Sequence, residues 1–114
     1  MTPDFQKGGG LLPAVIQDEA TKKVLMLGYF SPESYQATVK TRKVHFFSRS
    51  KNRLWMKGES SGDILEVKKI LLDCDGDSFL VLARQTGKAT CHTGRESCFF
   101  YEETPAGEFE IHEP

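Results

Sequence analysis

Residues 64–72 and 78–84 are both rich in apolar side chains, and only Asp73-Cys74-Asp75-Gly76-Asp77 stands between them. Asp-Gly readily closes a tight turn, because glycine accepts the positive φ that such turns require. The first run therefore ends as a strand entering Asp73, and the second returns as its partner. The same short-strand rhythm recurs elsewhere. Residues 12–18 and 24–30 read as strands across the polar loop 19–23, and 44–48 and 54–57 read as strands around the basic turn 49–53. Ser31-Pro32-Glu33 is a helix start, with Ser as N-cap, Pro at the first helical position and an acid in the first turn. That helix is expected to run to about Lys40, with Tyr35 and Val39 on its inner face. Residues 90–101 hold a cysteine-bearing loop and a short aromatic strand. The expected fold is α+β and strand-dominated, a single domain with a curled or barrel-like sheet and one main helix.

Gly8-Gly9-Gly10 sets off residues 1–10 as a flexible N-terminal tail, and residues 102–114 hold five Glu and form an acidic, peripheral C-terminal tail. The 114 residues suit one domain, and eight Phe, three Tyr and one Trp suffice for a modest core. A metal site or a dimer interface would help a domain of this size. The start has no basic region followed by an apolar stretch, and the longest apolar run, 79–83, is too short to cross a bilayer. Three cysteines make a poor disulfide framework; in a reducing compartment they read as thiolate ligands or as plain buried thiols. The expectation is a cytoplasmic protein without a membrane partner. Residues 38–69 carry nine Lys/Arg against three acids, whereas the remainder is strongly acidic. That basic segment points either to an anionic ligand such as phosphate or to a solvated face of uneven charge.

Asp73, Asp75 and Asp77 are either ligands to a hard cation or the solvated acids of a polar hairpin tip. A calcium loop does not fit, since the glycine is misplaced and no closing Glu follows. Cys74, Cys91 and Cys98 are compatible with a three-thiolate zinc site that leaves a fourth position for water, and equally with small buried thiols. In a regular strand Cys74 would point away from Asp73 and Asp75, which allows two metals on two faces of one turn. His92, next to Cys91, is the candidate acid–base group; His45 reads as structural, and His112 has no functional case. Arg49 and Arg53 match phosphate oxygens, Glu59, Ser60, Ser61 and Gly62 form a donor-rich loop, and Trp55 either stacks on a purine or belongs to the core.

Taken in order, these motifs resemble the phosphoribosyl-AMP cyclohydrolase family of histidine biosynthesis. The resemblance rests on Leu11 to Asp18, Val24 to Tyr29, Val44 to Ser50, Leu54 to Gly62, Asp73 to Asp77 and Cys91-His92-Thr93-Gly94-Arg95-Glu96-Ser97-Cys98-Phe99. It makes 11–101 the cyclohydrolase domain. It implies zinc on Cys74, Cys91 and Cys98, magnesium on Asp73, Asp75 and Asp77, and a homodimer with zinc ligands from both chains. The implied substrate is a phosphorylated nucleotide, with zinc-activated water hydrolysing the N1–C6 bond of the adenine ring of 1-(5-phosphoribosyl)-AMP. Nucleic acid is not an expected partner. Phe47 stands where the family often has Trp, and Asp63 where it commonly has Asn, an acid that would repel an anion. The competing reading is a zinc-stabilised module that binds single-stranded nucleic acid or another protein.

Overall fold

The computed structural model describes residues 1–112, so the last two residues of the acidic tail lie outside the described residues. In chain order the elements are β1 (Leu12–Asp18), β2 (Val24–Phe30), α1 (Pro32–Thr41), β3 (His45–Ser48), β4 (Arg53–Met56), β5 (Leu65–Leu72), β6 (Phe79–Gln85), β7 (Tyr101–Glu103) and β8 (Phe109–Ile111). Among the described residues no helix is long and apolar enough to cross a membrane.

Four strands form one sheet in the order β2-β1-β6-β5, with β1 and β6 parallel and the other neighbours antiparallel. The sheet does not close, which corrects the barrel-like expectation. Among the described residues the hairpin β3–β4 forms a two-stranded sheet of its own and packs beside the large sheet, so β2 and β5 are the edge strands. One isolated bridge, Lys43 to Glu66, and the bond from Val44 N–H to Leu65 O tie that hairpin's entry to β5.

The strand alternation explains the core. Leu12, Ala14 and Ile16 of β1 face inward with Phe79, Val81 and Ala83 of β6 and Leu65 and Val67 of β5. The aromatic centre is Phe30, whose ring lies 5.2 Å from Phe79, 5.8 Å from Phe46 and 5.9 Å from Tyr35. Gly28 is required here: a Cβ would stand 2.5 Å from the Phe46 ring. Phe30→Ala removes the ring on which three others rest and is expected to cost about 3–5 kcal/mol, read as a lower denaturation midpoint at unchanged slope.

The helix begins as expected. Ser31 and Ser34 exchange side-chain-to-backbone bonds of 2.9 and 3.1 Å in a capping box, and Arg42 ends the helix in the left-handed region at φ 61°. Its buried face differs from the expected one. Ser34 and Thr38 are fully buried, while Tyr35 and Val39 are only partly so. The reason is a hydrogen-bond hub. Thr38 Oγ1 donates to Ser34 O at 2.8 Å and accepts from His45 N–H at 2.9 Å, tying α1 to β3. The His45 side chain is tied locally, its Nδ1 lying 2.8 Å from Lys43 O.

Both tails carry structure. Phe5–Gly8 form a 3-10 turn, and Phe5 packs near Tyr35 and Phe79 with ring centroids 6.1 and 6.2 Å away. An apolar ring at position 5 with a core edge to meet makes the segment dock. The described part of the C-terminal segment folds as the exposed hairpin β7–β8. On the outer face of the large sheet, Leu27, Val15, Leu80 and Leu71 are direct cross-strand neighbours, an apolar row spanning all four strands. Leu27 and Leu71 at its ends are 43% and 42% exposed.

Candidate active site

The turn between β5 and β6 is wider than a two-residue hairpin. Asp73 N–H donates to Ser78 O at 3.0 Å, Gly76 N–H donates to Asp73 O at 3.1 Å, and Gly76 takes φ +73°. The turn brings ligand oxygens of Asp73, Asp75 and Asp77 within 4.8 Å of one another, the only such group of three His, Cys, Asp or Glu among the described residues. Asp77 N–H donates to Asp73 Oδ1 at 3.0 Å, and this bond chiefly holds the Asp73 carboxyl below its ordinary range. Alternating strand geometry does not apply, because these residues form a turn; Cys74 sits in it, exposed. Three convergent carboxylates are a hard-oxygen donor set that fits magnesium. A cation of the chain itself already faces them, since Lys7 Nζ stands 3.2 Å from Asp77 Oδ2.

The structure brings Cys91 and Cys98 together and leaves Cys74 apart from them. Cys91 is buried at the head of a turn in which Gly94 N–H donates to Cys91 O and Cys91 N–H donates to Arg95 O. Cys98 is pinned by its N–H to Leu25 O of β2 at 2.8 Å. Burial pushes the Cys91 thiol up, but the Thr93 hydroxyl, 3.1 Å from its sulfur, the Thr93 backbone and the Cys98 thiol outweigh it and hold Cys91 below the usual thiol value. Burial, aided by the charge of Cys91, pushes Cys98 up to about 11. Paired sulfurs with a hydroxyl turned onto one of them are soft donors that fit zinc, and one ligand short of the expected set. The hydroxyl of Thr90, next to Cys91, is buried and has no partner among the described residues. His92 is exposed beside the pair.

The third component is a cavity of about 340 Å³ over β4 and the following loop, lined by Arg53, Trp55, Glu59, Ser60 and Ser61 together with Lys51 and Lys57. Trp55 packs on Phe46 with centroids 5.6 Å apart, so it serves both the core and the cavity wall. Glu59 accepts from Arg53 Nη2 at 3.0 Å and from Met56 N–H at 2.8 Å. The Arg53 bond, then the Met56 bond, hold its carboxyl below the ordinary range, which makes Glu59 a poor proton acceptor. Arg49 and Gly62 fall outside this lining. The Arg49 guanidinium lies 4.9 Å from the Tyr29 ring centroid, in a neighbouring depression that shares Ser48 and Trp55. Gly62 N–H is taken up by Gly58 O at 2.8 Å, so it offers no donor to a ligand. Asp63 turns away as well: its Oδ1 accepts from Lys88 N–H at 3.0 Å, which separates its charge from the cavity.

Lys51 and Lys57 are cavity residues that sequence reasoning missed, and Lys57 carries the greater consequence. It lines the cavity, its N–H is anchored to Val44 O at 2.9 Å, and its positive charge favours the thiolate form of both Cys91 and Cys98. Lys57 thus couples the cavity electrostatically to the cysteine pair. Its place inside Trp55-Met56-Lys57-Gly58 was the available signal; Thr93, inside Cys91-His92-Thr93-Gly94, had a similar one.

A basic cavity of about 340 Å³, a thiol pair that feels the charge of its Lys57, and a separate carboxylate cluster define a small α+β protein with three groups of polar side chains, two of them metal-competent. The sequence profile of the phosphoribosyl-AMP cyclohydrolase family matches residues 26–100. A phosphoribosyl-AMP cyclohydrolase of Geobacter sulfurreducens is 50% identical over 100 residues, covering 88% of this chain and 80% of that protein. One from Nitrosopumilus maritimus is 52% identical over 99 residues, covering 87% and 91%. The histidine biosynthesis bifunctional protein HisIE of Haemophilus influenzae is 53% identical over 105 residues; this chain spans 92% of its own length but 47% of that protein. The chain belongs to the phosphoribosyl-AMP cyclohydrolase family.

Proposed function

We propose that this chain hydrolyses the N1–C6 bond of the adenine ring of 1-(5-phosphoribosyl)-AMP, a step of histidine biosynthesis, as a cytoplasmic homodimer. The observation that carries the reading is the basic cavity around Trp55, whose lining residue Lys57 acts electrostatically on the Cys91–Cys98 pair, in a chain of this family. Zinc would be held by Cys91 and Cys98 of one protomer and by Cys74 of the partner subunit, and magnesium by Asp73, Asp75 and Asp77. The homodimer is supported by the separation of Cys74 from the other two cysteines and by the apolar row from Leu27 to Leu71. When bound, zinc supplies a Lewis acid that makes water a competent nucleophile near neutral pH.

The chain's own residues bind, orient and move the proton. The substituent at N1 renders the purine cationic and C6 electrophilic. Lys51 and Arg53 offer cationic donors to a phosphate, and Arg49 extends the same basic strip. Trp55 presents an aromatic wall to the ring, and Ser60 and Ser61 add hydroxyl donors. The Thr93 hydroxyl orients the Cys91 sulfur. As the oxygen–C6 bond forms and the C6–N1 bond breaks, His92 takes a proton from the attacking water and returns it to N1. Glu59, bound to Arg53, shapes the cavity and takes no proton.

His92→Ala is therefore expected to slow ring opening of phosphoribosyl-AMP by roughly 10²–10⁴-fold while zinc content stays at the parent value. Loss of zinc in that variant makes His92 a ligand or its support, unchanged turnover places the proton transfer elsewhere, and an inert parent chain removes the reading altogether. No specific observation favours a nucleic-acid-binding module over this enzyme.

A further inference from the structure

The first eight residues are built around the acidic turn. Asp4 N–H donates to Gly76 O at 2.8 Å, and Met1 and Thr2 lie against Gly76. Lys7 N–H is capped by Asp4 Oδ1 at 3.2 Å, which fixes the turn so that Lys7 Nζ reaches Asp77 Oδ2 at 3.2 Å. Phe5 anchors the segment in the gap beside Tyr35 and Phe79. Immediately after it, Gly9 and Gly10 take φ +68° and +100° with open space around both. The segment is thus a docked cationic arm on a two-glycine pivot. Among the described residues its polar ties to the turn are one exposed ion pair and one backbone hydrogen bond, and one partly buried ring anchors it to the core.

We infer that Lys7 competes with a divalent cation for the carboxylates of Asp73, Asp75 and Asp77, and that the N-terminal turn undocks when the cation binds. The inference rests on the magnesium reading above. An ammonium beside Asp77 neutralises part of a three-carboxylate cluster whose ligand oxygens lie within 4.8 Å of one another. A divalent ion needs those same oxygens, and two cations a few ångströms apart repel strongly. An exposed ion pair is weak enough for a divalent ion to displace. The pivot at Gly9 and Gly10 lets the arm leave without disturbing β1. Lys7 thereby sets how readily the cluster fills, offsetting part of the turn's charge at low cation concentration and yielding at high concentration.

The test titrates Mg²⁺ calorimetrically into the full chain and into Lys7→Met and Lys7→Arg, and follows amide exchange at Asp4 in the parent. Lys7→Met is expected to bind Mg²⁺ about two- to tenfold more tightly, while Lys7→Arg stays near the parent. Saturating Mg²⁺ is expected to accelerate exchange at Asp4, whose N–H bond to Gly76 is lost on undocking. Unchanged or weaker Mg²⁺ binding by Lys7→Met overturns the inference, as does Asp4 exchange indifferent to Mg²⁺; in both cases the magnesium reading stands. Absence of Mg²⁺ binding by every form overturns that reading and this inference with it.

Discussion

Cys91→Ser is expected to strip zinc from the purified chain and to lower ring opening by at least about a hundredfold. Changes to groups that merely support metal ligands already cost roughly 10–100-fold, so loss of a ligand itself is costlier. Cys91 is the better test than Cys98, because it is the sulfur that the Thr93 hydroxyl orients and that is held towards thiolate. Serine keeps the size of the side chain nearly unchanged and preserves the turn bonds at Gly94 and Arg95, since those use the backbone of residue 91. The variant should therefore fold, and circular dichroism beside elemental analysis checks that it has. Full activity in folded, zinc-free Cys91→Ser would remove the sulfur site from the mechanism.

Mixing inactive Cys74→Ser with inactive Cys98→Ser is expected to restore activity from background to about a quarter of the parent value. Random exchange makes about half the dimers mixed, and each mixed dimer regains one intact site of two. The expectation follows from the placement of Cys74, exposed on the β5–β6 turn and outside any three-ligand group with Cys91 and Cys98 among the described residues. A site confined to one chain predicts no recovery, provided mixed dimers are shown to form.

Much of the fold was legible because its signals are local. Short apolar runs bounded by polar loops and turns marked β1, β2 and β6 closely, and Ser31-Pro32 marked the start of α1 within a residue. Features decided by distant contacts were not legible. Sheet closure depends on whether β3–β4 pairs or merely packs, and nothing in residues 45–56 encodes that choice. The buried face of α1 was misjudged because Thr38 satisfies its hydroxyl with the far side of a connection, at His45. Among the site residues, the 53–61 segment was readable as one unit, since a single hairpin and its loop bring those side chains to one cavity. Lys57 lies inside that readable segment, and only its charge on the cysteine pair depends on distant residues; Lys7 owes its place to a contact far along the chain, with Asp77, so no local pattern announced it. Asp63, an unexpected charge in sequence, is reconciled by its bond to Lys88 N–H.

The most direct test is ultraviolet spectroscopy of purine-ring opening, run on phosphoribosyl-AMP and on AMP with metal-replete, chelator-treated and zinc-restored protein. The expected result is turnover of phosphoribosyl-AMP alone, its loss with the metal, and its return when zinc is restored. Undiminished turnover by metal-free protein would contradict the zinc assignment, and no turnover of phosphoribosyl-AMP by the zinc- and magnesium-replete chain would contradict the function itself.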